Sequence, residues 1–181
     1  MATEKKQGFT HDDKNNISVD WYTPPWVFEA MGLNFDLDPC SPAGGLPWIP
    51  AKAHYSLPQD GLALPWSGCV WCNPPYGKFT AAWLAKMGTH NNGMSLVFSR
   101  TDCKWFFESA QTASAILFLK GRVSFVDGLG KTGGGGAGCG SMLIAWGSEC
   151  HASLENMQKN GYGILLALNH QAKKNKPGLF D

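Results

Sequence analysis

Gly68-Cys69-Val70-Trp71-Cys72 is an apolar run that leads directly into Asn73-Pro74-Pro75-Tyr76, and this stretch decides the fold. Its first part has the length and the β-branched and aromatic character of a buried strand. Proline lacks a backbone N–H and has a fixed φ angle, so neither a strand nor a helix continues through Pro74 and Pro75. The sequence therefore predicts a strand over residues 68–72 that ends in a sharp turn.

The tetrapeptide at this turn places hydrogen-bond acceptors next to an aromatic ring. Because prolines supply no N–H, the carbonyls of Asn73 and Pro74 are expected to point outward, beside the Asn73 side-chain amide. Such acceptors can orient the exocyclic amine of a planar substrate while Tyr76 stacks on its ring. Methylation of a planar amine is the chemistry suggested. A rigid turn that covers a core strand explains the tetrapeptide alone equally well.

The composition describes one globular domain rich in aromatic residues. The chain has 181 residues, of which 44% are hydrophobic and 16% charged, with eight Trp and ten Phe. This length is sufficient for a single core. The net charge of +1 gives the protein no overall positive field that would attract nucleic acid. Any nucleic-acid site must therefore be a local basic patch. No apolar segment has the length of a membrane span, so we expect a cytoplasmic protein without a membrane partner. Its oligomeric state stays open, with a monomer favoured.

The ends of the chain differ in composition from its middle. Residues 1–18 are polar and are predicted to form a mobile arm, and residues 171–181 form a basic tail with three lysines. Residues 19–170 are predicted to be a single domain. The six cysteines are expected to be reduced thiols. The CxxC formed by Cys69 and Cys72 has no second pair at ligand spacing, so we predict no metal site.

Helices and strands alternate in the first half of the chain. Helices are predicted where apolar residues recur at helical spacing behind a capping residue or proline: 23–31, 80–87, 104–109 and 151–159. Apolar or alternating runs predict strands over 34–40, 68–72, 94–99, 115–119, 141–146 and 163–168. Early βα units predict a parallel sheet, and the late strand pair predicts an antiparallel addition at one edge.

Two connections do not fit this alternation. Residues 46–65 contain four prolines and are predicted to be a long ordered loop without a helix. Residues 128–140 contain four consecutive glycines, at positions 133–136, and are predicted to be a flexible, hairpin-like connection.

Several polar residues lie where elements are predicted to begin or end. Asp38 is predicted to lie at the carboxyl end of a strand, where ligands bind in open α/β sheets, and Asp36 on the same strand is a competing candidate. Asp60 precedes Gly61, and this pair is typical of a turn. A turn and a ligand contact explain Asp60 equally well. Thr23 would cap the first helix, and Asp102 is a possible cap of the third. Arg100 either binds a phosphate or pairs with Asp102.

Five linked motifs resemble the phage-type DNA N6-adenine methyltransferase family. They occur in order over residues 20–147: Trp21-Tyr22-Thr23-Pro24-Pro25, Phe35-Asp36-Leu37-Asp38-Pro39-Cys40, Trp71-Cys72-Asn73-Pro74-Pro75-Tyr76, Arg100-Thr101-Asp102 with Trp105-Phe106, and Gly121-Arg122 with Phe125. The resemblance implies a compact class I (Rossmann-like) methyltransferase fold. It also implies S-adenosylmethionine as cofactor, DNA as partner, and direct transfer of a methyl group to the N6 amine of a flipped adenine.

The resemblance also assigns residues to roles. It implies that the catalytic residues are Asn73, Pro74, Pro75 and Tyr76. It implies that the substrate contacts come from Tyr76, Phe79, Arg100, Arg122 and Phe125. It implies that the cofactor contacts come from Thr23, Pro24, Asp38, Pro39, Cys40, Asp60 and Asn73.

Two departures from the family pattern affect the cofactor side. The glycine-rich cofactor loop is reduced to Ser41-Pro42-Ala43-Gly44-Gly45, and the span from Asp38 to Asn73 is short for two βα units. Three alternatives stay open at this point: methylation of a protein glutamine amide, methylation of RNA, and a non-catalytic DNA-binding or host-interaction protein on the same fold.

Overall fold

The computed structural model describes residues 21–132 and 137–168. The predicted N-terminal arm, the basic tail and the glycines at 133–136 lie outside the described residues. Within the described ranges the helices are α1 Pro25–Met31, α2 Thr80–His90, α3 Lys104–Ala110 and α4 Ser148–Lys159. The strands there are β1 Phe35–Asp38, β2 Ala51–His54, β3 Val70–Cys72, β4 Gly93–Phe98, β5 Ala115–Leu119, β6 Ser141–Trp146 and β7 Gly163–Ala167.

The described strands form one sheet in the order β2-β1-β3-β4-β6-β5-β7. Strands β2, β1, β3 and β4 are parallel, β6 is antiparallel to both β4 and β5, and β7 is antiparallel to β5. The predicted mixed sheet is confirmed, and it is compatible with a Rossmann-like methyltransferase fold. The antiparallel addition at one edge of the parallel strands is confirmed too, and all six residues of β6 are buried because it lies between β4 and β5.

The loop predicted over residues 46–65 contains a strand. β2 pairs in parallel with β1 at the edge of the sheet, from Phe35 opposite Ala51 to Asp38 opposite His54. The sequence Ala51-Lys52-Ala53-His54 lacks apolar periodicity because this edge strand leaves three of its four residues exposed. Backbone pairing stabilises the strand, and side-chain patterns do not record such pairing.

Helix α1 begins and ends close to the predicted residues, but its cap differs. The N-cap is Pro24, and no side chain caps the helix, so the predicted capping role of Thr23 is wrong. The chain leaves α1 at Gly32, whose φ of 62° lies in the left-handed region that glycine tolerates.

Two other helix ends and one cap differ from the prediction. Helix α2 continues through Gly88 to His90 and ends at Asn91, whose φ of 58° is left-handed. A Cβ at Gly88 would lie 2.8 Å from the Thr112 hydroxyl, so glycine leaves room for the segment after α3 to pack there. The N-cap of α3 is Cys103, so Asp102 is not its cap. Helix α4 begins at Ser148 and not at residue 151.

Helices cover both faces of the sheet. On one face, α1 and α4 pack around Trp71, which meets Phe28 edge-on at 4.8 Å between ring centroids. On the other face, α2 and α3 cover the alternate strand residues. Cys69 and Cys72 lie in different core clusters, so the CxxC does not form a pair.

All six cysteines are free thiols. None of the described helices is long and apolar enough to cross a bilayer. The described ranges also contain no group of three or more side chains that could hold a metal ion.

Candidate active site

The parallel strands β1 to β4 end at the same side of the sheet, which we call the carboxyl edge. There β1 delivers Asp38 and β3 delivers Asn73. The Cys40 thiol joins the two strand ends, since it donates to the Asn73 carbonyl at 3.2 Å while the Cys40 N–H donates to Asp38 Oδ1 at 3.2 Å. The neighbouring Cys72 thiol and burial raise the pKa of Cys40, so its thiol keeps the proton that it donates.

The turn after β3 is held by side chains at both ends. The Tyr76 hydroxyl donates to Asn73 Oδ1 at 3.3 Å, and the buried Thr80 hydroxyl donates to the Pro75 carbonyl at 3.3 Å. The expectation of two free carbonyls is half wrong, because Asn73 accepts the Cys40 thiol. The Pro74 carbonyl has no hydrogen-bond partner among the described residues. Sequence reasoning missed Thr80, although its place at the start of α2, four residues after Tyr76, was visible.

An aromatic cluster surrounds Tyr76. Its ring stacks on Phe98 with 4.1 Å between centroids and 11° between planes, and Phe125 stands edge-on to it at 6.4 Å. Tyr76 remains 40% exposed. Phe98 was not predicted as a site residue. It ends β4, the strand beside β3, so its place as the last apolar residue of an adjacent strand was the available signal.

The two acids of β1 have opposite environments. Asp38 is 3% exposed, and the loss of water around it raises its pKa to about 6, although hydrogen bonds from Cys40 and Ser41 partly offset this. Asp36 accepts from Lys52 Nζ at 2.7 Å and from the Cys69 N–H at 2.8 Å. Its hydrogen bond from Lys52 lowers the pKa of Asp36. Asp36 is therefore held by two hydrogen bonds within the fold, and Asp38 is the buried acid at the carboxyl edge.

Thr23 lies on the other side of the aromatic cluster. The backbones of Tyr22 and Val126 pair through two hydrogen bonds of 2.7 and 3.0 Å, which brings Thr23 beside Phe125. Trp48 Nε1 donates to the Thr23 carbonyl at 2.9 Å. The Thr23 hydroxyl is buried and has no hydrogen-bond partner within residues 21–132 and 137–168. Such an unpaired buried hydroxyl has a cost unless a ligand satisfies it.

Asp60 forms a turn that rests on the Asp38 segment. Its Oδ1 accepts the Leu62 N–H at 2.9 Å. The next residue, Gly61, touches Pro39 so closely that a Cβ there would lie 1.9 Å from the Pro39 carbonyl oxygen. Lys86 Nζ donates to the carbonyls of Gly61 and Leu62 at 3.1 and 2.7 Å. The Asp60 turn is thus tied to the loop that follows β1.

We expect Gly61→Ala to destabilise the protein by about 1–3 kcal/mol, as other overpacked positions do. The new methyl group would overlap the Pro39 carbonyl and displace the loop beside Asp38. Urea unfolding of the variant checks this. Gly140→Ala is the matched control, because its Cβ would lie 3.6 Å from the Ser99 side chain, an ordinary contact. Equal unfolding midpoints for the two variants would contradict the tight packing at Gly61.

Three residues predicted for the substrate side lie outside the aromatic cluster. Phe79 is 53% exposed and lies under the Lys78 ammonium at 4.8 Å. Arg100 is exposed two residues after Phe98, and the ion pair predicted between Arg100 and Asp102 does not form. The Arg122 guanidinium donates to the Ala137 carbonyl at 3.1 Å and is exposed.

The polar groups of the candidate site converge at the carboxyl edge and not in either of two surface grooves. One groove of about 330 Å³ lies between α2 and α3, and another of about 370 Å³ lies beside α1. Neither groove is lined by Asp38 or Asn73. The carboxyl edge combines a buried acid, an unpaired hydroxyl, oriented amide oxygens and stacked rings, so we place the candidate site there.

Comparison with known proteins agrees with the resemblance seen in the sequence. No curated protein and no solved structure matches the chain. A family model described as DNA N-6-adenine-methyltransferase (Dam) matches residues 10–176, which is nearly the whole chain. The match includes every residue of the site at the carboxyl edge, and the chain therefore belongs to the DNA N-6-adenine-methyltransferase (Dam) family.

Proposed function

We propose that this protein transfers a methyl group from S-adenosylmethionine to the N6 amine of an adenine that has been turned out of DNA. Membership of the family implies adenine-N6 methylation of DNA in general. The observation that carries the finer proposal is the turn at Asn73, whose side-chain oxygen points to the Tyr76 hydroxyl within an aromatic cluster.

The turn provides two acceptors for one amine. Asn73 Oδ1 has a second lone pair beyond the one that the Tyr76 hydroxyl uses, and the Pro74 carbonyl is free among the described residues. Two acceptors fix both hydrogens of an N6 amine and leave its lone pair directed away from them. Tyr76 and Cys40 hold Asn73 in place from opposite sides, so the acceptors are positioned before the substrate arrives.

The aromatic cluster offers a stacking surface for the base. Phe98 covers one face of Tyr76, and the exposed part of Tyr76 is available to an adenine ring. Phe125 bounds the space edge-on. Turning a base out of the helix costs a few kcal/mol, and each aromatic stack returns roughly 1–3 kcal/mol. Two rings together with the amine hydrogen bonds are therefore sufficient to hold the base.

The cofactor residues in this proposal are Asp38, Pro39 and Cys40 on one side, with Thr23 and Pro24 on the other. The buried Asp38 carboxylate and the buried Thr23 hydroxyl fit a polar, positively charged ligand, because the acid is shielded from solvent and the hydroxyl has no hydrogen-bond partner among the described residues. S-adenosylmethionine supplies a methyl group that its sulfonium already activates, so no covalent enzyme intermediate is required. Asp60 borders the same pocket through the Gly61 contact with Pro39.

The exposed residues at the rim are assigned to the DNA backbone. Arg100 and Arg122 are both exposed near the cluster and would contact phosphates. Phe79 and its neighbour Lys78 are exposed at the start of α2 and complete this rim.

The test is methyl transfer from radiolabelled S-adenosylmethionine by the purified protein to duplex DNA, single-stranded DNA, RNA and protein extract. We expect label in DNA, recovered as N6-methyladenine after digestion to nucleosides. Label only in RNA or in a protein glutamine would overturn the proposal in favour of the corresponding substrate. If the protein neither binds S-adenosylmethionine nor transfers label, the proposal fails and the protein is a non-catalytic protein with this fold.

A further inference from the structure

Residues 126–132 form a tightly hydrogen-bonded hairpin with an apolar tip. Val126 pairs with Thr132, and the Asp127 N–H donates to the Lys131 carbonyl at 2.9 Å. Asp127 Oδ1 accepts the N–H groups of Leu129 and Lys131, both at 2.9 Å. This side-chain turn fixes the backbone at the tip. Leu129 stands there with 79% of its surface exposed.

The hairpin stands directly beside the candidate site. It follows β5, which runs parallel to β4 because β6 is antiparallel to both, so the hairpin leaves the sheet at the carboxyl edge. Phe125, the residue before the hairpin, touches Tyr76 edge-on at 6.4 Å. A Cβ at Gly130 would lie 3.7 Å from the Trp48 ring. The hairpin is therefore anchored to both sides of the site.

The charges around the tip match a polyanion. Residues 120–132 contain three exposed cations, at Lys120, Arg122 and Lys131, against one acid, Asp127, whose carboxylate is engaged by the tip backbone. A rigid apolar tip on a segment with three exposed cations fits a duplex, where phosphates flank a stack of apolar rings.

We propose that Leu129 enters the base stack of the DNA and fills the space that the target adenine leaves when it turns toward Tyr76. The proposal rests on the proposed function, since it requires base flipping. Apolar side chains such as leucine separate base steps in other DNA complexes. Leu129 is then a positioning residue, because it acts through the conformation of the DNA and does not touch the reacting atoms. Lys131 contacts the adjacent phosphate.

The Leu129→Ala variant distinguishes insertion of Leu129 into the base stack from a general contribution of this side chain to activity. The test uses an oligonucleotide whose methylated adenine has been mapped, as a paired duplex, as a duplex with an abasic site opposite that adenine, and as a single strand. On the paired duplex we expect kcat/KM to fall by about tenfold or more, because extrusion of a paired base has the highest cost. On the other two substrates the variant should match the parent within about twofold, because an unpaired base has the lowest cost.

Leu57→Ala is the matched control. Leu57 is also a highly exposed loop leucine, 88% accessible, but it follows β2 on the opposite half of the sheet. It should behave as the parent on all three substrates, and the same selective loss in this variant would overturn the assignment to Leu129. So would parent-like activity of Leu129→Ala on the paired duplex, or an equal loss on all three substrates. If the parent methylates no adenine in any of the DNAs, the proposed function itself fails.

Discussion

Replacing Asn73 with alanine is expected to lower methyl transfer by on the order of 10²–10³-fold, the usual cost of removing one oriented polar group from a reacting centre. The change removes one of the two acceptors for the target amine and leaves the Tyr76 hydroxyl without its partner. Binding of S-adenosylmethionine, measured by calorimetry, should persist, because the Asp38 and Thr23 side chains are unchanged. Asn73→Asp keeps an oxygen for Tyr76 and should retain more activity than Asn73→Ala.

Asn34→Ala is the control for this experiment. Asn34 is exposed and precedes β1, so it lies at the opposite edge of the sheet from the site. Its variant should turn over at the parent rate. Near-parent turnover of Asn73→Ala, in protein with an unchanged melting temperature, would show that the role assigned to Asn73 is wrong.

Asp38→Asn is expected to weaken binding of S-adenosylmethionine by about 10–100-fold at pH 7.5, which corresponds to the loss of a hydrogen bond to a charged group. Burial raises the pKa of Asp38 to about 6, so the parent carboxylate is ionised at pH 7.5 and is neutralised as the pH falls through about 6. Cofactor affinity of the parent should fall over the same pH range, whereas that of Asp38→Asn should stay constant. Calorimetric titrations between pH 5 and 8 measure both.

The same substitution should stabilise the ligand-free protein at pH 7.5. The pKa of Asp38 in the folded protein, about 6, lies above the ordinary value of 3.8, so the folded state binds this proton more tightly than the unfolded state. The contribution of Asp38 to the free energy of unfolding therefore rises as the pH falls from 7 to 4, by up to about 3 kcal/mol. Asp38→Asn removes this dependence, and urea unfolding at several pH values checks it.

Asp36→Asn is the matched control, since Asp36 lies on the same strand but pairs with Lys52. Its pKa is lowered, so its contribution to stability is present near neutral pH and is lost as the pH falls. This variant should bind the cofactor as the parent does and should be less stable, not more. A stabilised Asp36→Asn, or an Asp38→Asn variant less stable than the parent at pH 7.5, would contradict the contrast between the two acids.

Cys40 gives the site an internal coupling between its two halves. Its backbone N–H contacts Asp38 and its thiol contacts the Asn73 carbonyl, so the chain after β1 and the turn after β3 are held together. Thr80 stabilises the same turn from α2 through Pro75 and Gly77.

Features that depend on neighbouring residues in the chain could be predicted from the sequence. The apolar runs predicted β3, β5 and β6 within a residue or two, because a strand that is buried on both faces must be apolar throughout. The prolines after Cys72 predicted the turn at Asn73, because proline ends a strand wherever the rest of the chain lies. The five linked motifs likewise predicted the family.

Features that depend on distant residues were decided only by the tertiary structure. Nothing near Asn73 in the sequence indicates that Cys40 occupies its carbonyl, and nothing near Tyr76 indicates that Phe98 covers one face of its ring. Asp36 and Asp38 look alike in sequence, yet Lys52 keeps one ionised while burial raises the pKa of the other. The sequence alone determined the strand and turn that carry Asn73-Pro74-Pro75-Tyr76. The packing of other strands around that turn decided which of its oxygens are free, because hydrogen bonding and desolvation depend on contacts between residues far apart in the chain.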